Sequence, residues 1–178
     1  MPAAIAFQNI DADMDANQAW FAVGPQLTRL MKSVAPARER GYLLKSEFVA
    51  ICKEKSSRRV ASLEKNSEEA IEKISRLAYQ MEDDPFIQIS LLRSFKGVAV
   101  PRASCLLAWV FPEKYPVIDW RAWKVLHRYG LVNRNPEGRN LQPDHWVDYL
   151  KVVQDLANRR KKTPMLIDRW LWHAEDHL

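Results

Sequence analysis

Cysteine, histidine and glycine are all scarce in this chain of 178 residues, which has only 2, 4 and 5 of them. Cys52 and Cys105 alone cannot supply a four-thiolate metal or iron–sulfur site, nor a disulfide framework. Every apolar run is interrupted by Arg, Lys, Glu or Asp before it reaches the length of a membrane span. The opening MPAAIAFQNIDADMD lacks the basic start and long apolar centre of a secretion signal. Internal repeats, low-complexity tracts and linkers are not evident. At 47% hydrophobic the composition is too apolar for disorder. These exclusions leave a soluble, reduced, cytoplasmic protein as the expectation, with no cofactor and no metal. The length suits one domain over residues 1–178.

The net charge of +5 is unevenly distributed. Residues 41–65 hold six bases and three acids, residues 85–112 three bases and no acid, and residues 113–139 six bases and three acids. Between them, residues 66–84 hold two bases and six acids. If the basic stretches meet in space, an anionic partner is implied.

Alternating strand patterns are scarce and apolar residues recur at helical spacing, so the chain reads as all-α. Pro85, Pro101, Pro143 and Pro164 stand where helices begin, a position at which the missing N–H costs nothing. Asp84 and Thr163 fit as N-caps, and Asn66 with Glu69 as a capping box. The predicted helices span 14–34, 43–54, 57–65, 67–81, 85–95, 101–111, 119–129, 143–159 and 163–176. Gly24-Pro25 splits or kinks the first, and Gly130 closes the seventh. Short connections predict a packed helical domain, with 131–142 as its clearest irregular loop.

Residues 86–126 are the most informative. Two apolar helices, about 86–111, are joined by Lys96-Gly97-Val98-Ala99. Gly97 is expected to take a conformation closed to other residues, and Val98 to bury between the helices. N–H groups around Ala99 and the start of the second helix then point outwards at its positive dipole end, an arrangement that binds phosphate without reading sequence. Lys96 and Arg102 flank it. The same spacing also describes an ordinary helical hairpin whose glycine merely permits the turn.

Phe95-Lys96-Gly97-Val98-Ala99, with Ala103 four positions on, resembles the helix-hairpin-helix signature. Downstream, Pro116-Val117-Ile118-Asp119-Trp120-Arg121-Ala122-Trp123 resembles the Pro-Val-Asp segment of the HhH-GPD DNA glycosylase superfamily. Hairpin, helix, aspartate and following helix keep that superfamily's order and spacing over about 86–126. Residues 48–59 are more loosely similar to the family's helix and loop that enters DNA beside the target base.

The resemblance implies a multi-helix orthogonal bundle of the HhH-GPD type, in which N- and C-terminal helices pack together as a small lobe. It implies double-stranded DNA as partner, held by its backbone through Lys96, Gly97, Val98, Ala99 and Arg102, with Lys55, Ser57 and Arg58 from the second region. Departures are equally definite. The hairpin's second glycine is Ala99, the lyase lysine position is Pro101, and the iron–sulfur cysteines are missing. The chain is also short for a complete glycosylase. Without an amine at position 101, hydrolysis without lyase activity is the expectation.

Asp119 is the carboxylate that the resemblance puts to chemical use. At a helix N-cap, first-turn N–H groups and the dipole favour negative charge, which suits a group facing the positive charge that develops on a sugar as its glycosidic bond breaks. An extruded base needs an aromatic pocket, and Trp109, Tyr115, Trp120 and Trp123 are the candidates. The plain alternative is that Asp119 only caps its helix. His173 and His177 stand at a metal-compatible spacing on a terminal turn. Arg159-Arg160-Lys161-Lys162 complements a helix C-terminus. Trp170, Trp172, Cys52 and Cys105 read as packing residues, and nothing adjacent to Asp168 recommends it as an acid. Three functions follow: a base-excising enzyme, a non-catalytic DNA-binding module of the same fold, or an all-α protein-interaction domain.

Overall fold

Prolines open most of the helices. Pro25, Pro36, Pro85, Pro143 and Pro164 occupy the first position of theirs, and Pro101 the second. The Asp84 and Thr163 side chains accept the N–H groups of Ile87 and Leu166, so both caps form as the sequence predicts. The computed structural model describes residues 3–177. Met1, Pro2 and Leu178, within the span read as one domain, lie outside the described residues.

Eleven α-helices form among the described residues: α1 (Ala3–Ala16), α2 (Pro25–Val34), α3 (Pro36–Arg40), α4 (Lys45–Lys55), α5 (Val60–Leu63), α6 (Glu68–Gln80), α7 (Pro85–Arg93), α8 (Val100–Ala108), α9 (Trp120–Arg128), α10 (Pro143–Arg160) and α11 (Pro164–Ala174). No strand forms among them, so the protein is all-α. Among the described residues no helix is long and apolar enough to cross a membrane.

Several expected boundaries move. The helix predicted over 14–34 is three elements: α1 ends at Ala16, a 3-10 turn covers Gln18–Phe21, and extended Gly24 precedes α2. The 57–65 helix shrinks to α5, because Arg59 adopts a left-handed φ of 54°. The helix from 101 ends at Ala108 rather than 111. Asn66 and Glu69 form no capping box. Ser67 is the N-cap of α6, accepting from Ala70 N at 3.2 Å.

Helices α7 and α8 form a hairpin, α4 lies along α8, and α6 lies along α7. Helix α10 packs on α7 and α11, and α11 on α9. Fully buried Trp146, Trp170, Tyr149 and Phe48 fill the space between them. The N-terminal helix is fastened to this body by charge and ring contacts. Asp11 pairs with Arg159 at 2.5 Å, Asp15 with Arg160, and Trp20 lies 5.5 Å from Trp170 and 5.1 Å from His177. The basic run that ends α10 therefore has its first two charges matched by α1.

Candidate functional site

The turn between α7 and α8 is held from outside itself. Gly97 has φ of 81°, and a Cβ there would stand 3.0 Å from Ser62 Cβ and 3.3 Å from Leu63 Cδ2. The position thus favours glycine both by conformation and by space. The buried Asn66 side chain pairs with the backbone of Lys96 in both directions, donating to its carbonyl at 3.1 Å and accepting its N–H at 2.9 Å. Phe95 packs on Phe48 at 4.9 Å between ring centroids, and Val98 is buried as expected. Among the described residues the N–H groups of Gly97, Ala99 and Val100 have no partner, and Pro101 has no N–H to offer.

Arg102 departs from its expected role. It is 9% exposed, and its guanidinium donates to four carbonyls: Cys52 at 3.3 Å, Ser56 at 2.9 Å, Gly97 at 2.6 Å, and Arg58. This side chain ties the end of α4 and the loop after it to the hairpin. It builds the surface instead of reaching a phosphate from it. Lys96 and Ser57 are exposed beside the hairpin but do not line the groove described next.

That groove, of about 880 Å³, runs between the 55–59 segment, the hairpin, the start of α9 and the end of the 131–142 loop. The two basic regions meet here. Arg58, Arg59 and Arg93 line it, are exposed, and form no ion pair among the described residues. Asp119 is the one acid in its wall. Trp120 is 46% exposed in the groove, with the Arg121 guanidinium 4.9 Å from its ring. Gly138 fixes Trp120 from behind. Its φ is 61°, and a Cβ would come within 2.8 Å of the Trp120 Cα.

A smaller cavity of about 250 Å³ lies beside the groove. Lys55, Asp119 and Trp172 line both spaces. Asp119 is 8% exposed and its two oxygens are differently occupied. Oδ1 accepts the N–H groups of Arg121 and Ala122 at 3.0 and 3.1 Å, the expected cap. Oδ2 accepts from Lys55 Nζ at 2.9 Å. Burial works against the Lys55 ammonium, but the adjacent Asp119 charge, its hydrogen bond and Asp168 outweigh that and hold its pKa above the ordinary lysine value. Lys55, expected at DNA, is therefore committed to the aspartate.

Asp168 lines the same cavity, contrary to the reading that nothing recommended it. Tyr149 donates to its Oδ1 at 2.8 Å. Burial first, and then the Asp119 charge, push the Asp168 pKa up to about 7, against the pull of Lys55 and Tyr149. Two carboxylates share one cavity, Asp119 capped and ion-paired, Asp168 buried beside Tyr149. Trp172, also missed, stands between groove and cavity with Arg121 and Arg169 at 5.1 and 5.2 Å from its ring. Contacts from α4, α10 and the start of α9 distinguish Asp168 and Trp172, so no local signal marked them. The four-residue step from Asp168 to Trp172 on one helix was the nearest trace.

The four proposed pocket aromatics separate. Trp109 lines the cavity and Trp120 the groove. Tyr115 is elsewhere, in a depression with Glu82, Glu113 and Lys114, where Gln88 donates to its hydroxyl. Trp123 is fully buried, and its indole N–H donates to Asn135 O at 2.8 Å, anchoring the 131–142 loop. His173 turns to Arg169 and Trp172, while His177 stacks on Trp20. Among the described residues no three His, Cys, Asp or Glu side chains gather as a metal site. Compared with protein-family models, with curated proteins and with solved structures, the chain finds no match in any of the three.

Proposed function

We propose that the groove holds double-stranded DNA by its backbone and that the cavity receives a base turned out of the stack, whose N-glycosidic bond is then hydrolysed. The observation that carries this reading is the junction. An acid-poor basic groove shares Lys55, Asp119 and Trp172 with a small carboxylate-bearing cavity beside it. Phosphates meet Arg58, Arg59 and Arg93 together with the unpartnered N–H groups of Gly97, Ala99 and Val100. These contacts carry no base information. The base enters between Trp109 and Trp172. The resemblance of residues 86–126 to the HhH-GPD glycosylases supports the same assignment, including an orthogonal bundle of that type.

Asp119 is locked at both oxygens, so its charge is already in place when positive charge appears at the sugar C1′. Lys55 fixes the orientation of that carboxylate. An amine does reach the aspartate, from α4 rather than from position 101, but it is held as the ammonium at neutral pH. It acts as a counter-charge, not as a nucleophile, and borohydride is expected to trap no covalent DNA adduct.

Single-turnover excision on duplexes carrying one modified base each, read as alkali-labile abasic sites, tests the reading. Wild type releases at least one base, and Asp119→Asn slows that release about 10²–10³-fold. Binding without release would reduce the site to a non-catalytic DNA-binding module. No affinity for duplex even at low salt would overturn DNA as the partner and favour a protein-interaction domain.

A further inference from the structure

We infer that Asp168 is the proton donor to the departing base, and that the cavity therefore acts on neutral bases, which need a proton to leave, rather than on cationic ones, which do not. This rests on the excision reading and deepens it by naming the donor and the substrate class.

The geometry singles out this side chain. Asp168 projects from α11 into the cavity that Asp119 reaches from the start of α9. Its Oδ1 is held by Tyr149, and its Oδ2 makes no hydrogen bond among the described residues. At 6% exposed it has little contact with solvent. The groups facing it come from every neighbouring element: Lys55 and Glu54 on α4, Cys105 on α8, Asp119, Tyr149 on α10, and Arg169 beside it. Burial and the Asp119 charge disfavour its ionised form, so around neutral pH a proton is available there. Lys55 is the poorer donor, since its proton is held more tightly than an ordinary lysine's. A carboxyl able to give a proton in the same cavity as a second carboxylate is an arrangement that glycosidic hydrolysis uses.

The step balances without any further reactant. The C1′–N bond breaks, its electron pair goes to the ring nitrogen, and that nitrogen takes the Asp168 proton. Water oxygen bonds to C1′ while its surplus proton passes to solvent through the groove, with Asp119 remaining ionised. Asp168 then takes a proton back from solvent. A base already carrying a positive charge, such as an N7-alkylated purine, leaves with the same electron pair and becomes neutral without a donor.

The test is single-turnover release from duplexes bearing uracil, hypoxanthine or 8-oxoguanine as neutral bases and 7-methylguanine as the cationic one. Wild type is expected to release a neutral base at a rate that falls above pH about 7. Asp168→Asn should slow that release by about 10²-fold or more and leave duplex affinity unchanged. Tyr149→Phe removes a hydrogen bond that favours the ionised form, so it should move the falling limb to higher pH. Should Asp168→Asn fail to fold, an unmoved limb in Tyr149→Phe overturns the inference by itself. Release of 7-methylguanine alone, or a neutral-base rate within about threefold of wild type in Asp168→Asn, overturns it while excision stands. Release of no base at all overturns the inference and the excision reading together.

Discussion

Two arginine clusters look alike along the chain and differ in what their charge is free to do. Arg159 and Arg160, at the end of α10, spend theirs on Asp11 and Asp15 of α1. Around the hairpin, Arg58, Arg59 and Arg93 have no acid partner among the described residues, and Arg102 gives its donors to four carbonyls. The carboxylates follow the same division. Hydrogen bonding from Arg160 holds Asp15 below the ordinary aspartate value, whereas burial raises Asp168. A count of charges therefore says little about a binding face. Charge left unmatched after folding marks it.

The contrast can be broken at its strongest point first. Arg102→Met leaves the Ser56, Arg58 and Gly97 carbonyls of the groove wall without their donor, and should cost about 3–5 kcal/mol in denaturant unfolding and abolish duplex binding. Unchanged stability would mean that the hairpin and the 55–59 segment hold together without it. Next in size is a pH effect. The folded protein holds the Asp168 proton more tightly than the unfolded chain does, so this group contributes stability at low pH and loses it as pH climbs from about 4 to about 7. Wild type should lose about 2–4 kcal/mol across that window relative to Asp168→Asn, measured by denaturation at each pH. Asp15 works with the opposite sign, its contribution fading as pH falls below the usual aspartate range. The smallest effect sharpens the arginine comparison directly. Arg58→Ala with Arg59→Ala should flatten the log–log salt dependence of duplex binding by about 2, with little change in stability. Arg159→Ala with Arg160→Ala should leave binding alone and lower stability by about 1 kcal/mol. Equal binding losses from the two pairs would erase the distinction.

Legibility followed sequence distance. Helix starts at Pro85, Pro143 and Pro164 and the caps at Asp84, Asp119 and Thr163 depend on neighbours within one turn, and all form where the chain says they should. Helix α1 escaped because alternating Asp11, Asp13 and Asp15 obscure its buried stripe of Ala6, Ile10 and Met14, and its charges are matched only by residues far downstream. At the site, Gly97, Val98 and Asp119 could be singled out from local pattern. The Lys55 ion pair, the Arg102 clamp and the raised Asp168 each need partners at least 19 residues away, so no local window holds their cause. Trp123 and Tyr115 were misjudged for the same reason, since an aromatic near Asp119 in sequence can point to the opposite side of its element.

The Asn66 side chain has a consequence for the order in which the protein assembles. Its amide meets the backbone of Lys96 as one rung of a β-ladder would, across 30 residues and in a protein whose described part has no strand. The bend between α7 and α8 has a hydrogen bond of its own, from Val98 N–H to Phe95 O at 3.1 Å, and Asn66 adds two from outside it. Its full set of bonds is therefore complete when the residues ahead of α6 arrive and close a loop. The turn between α7 and α8 is in that sense a late joint, completed by a rung borrowed from another part of the chain.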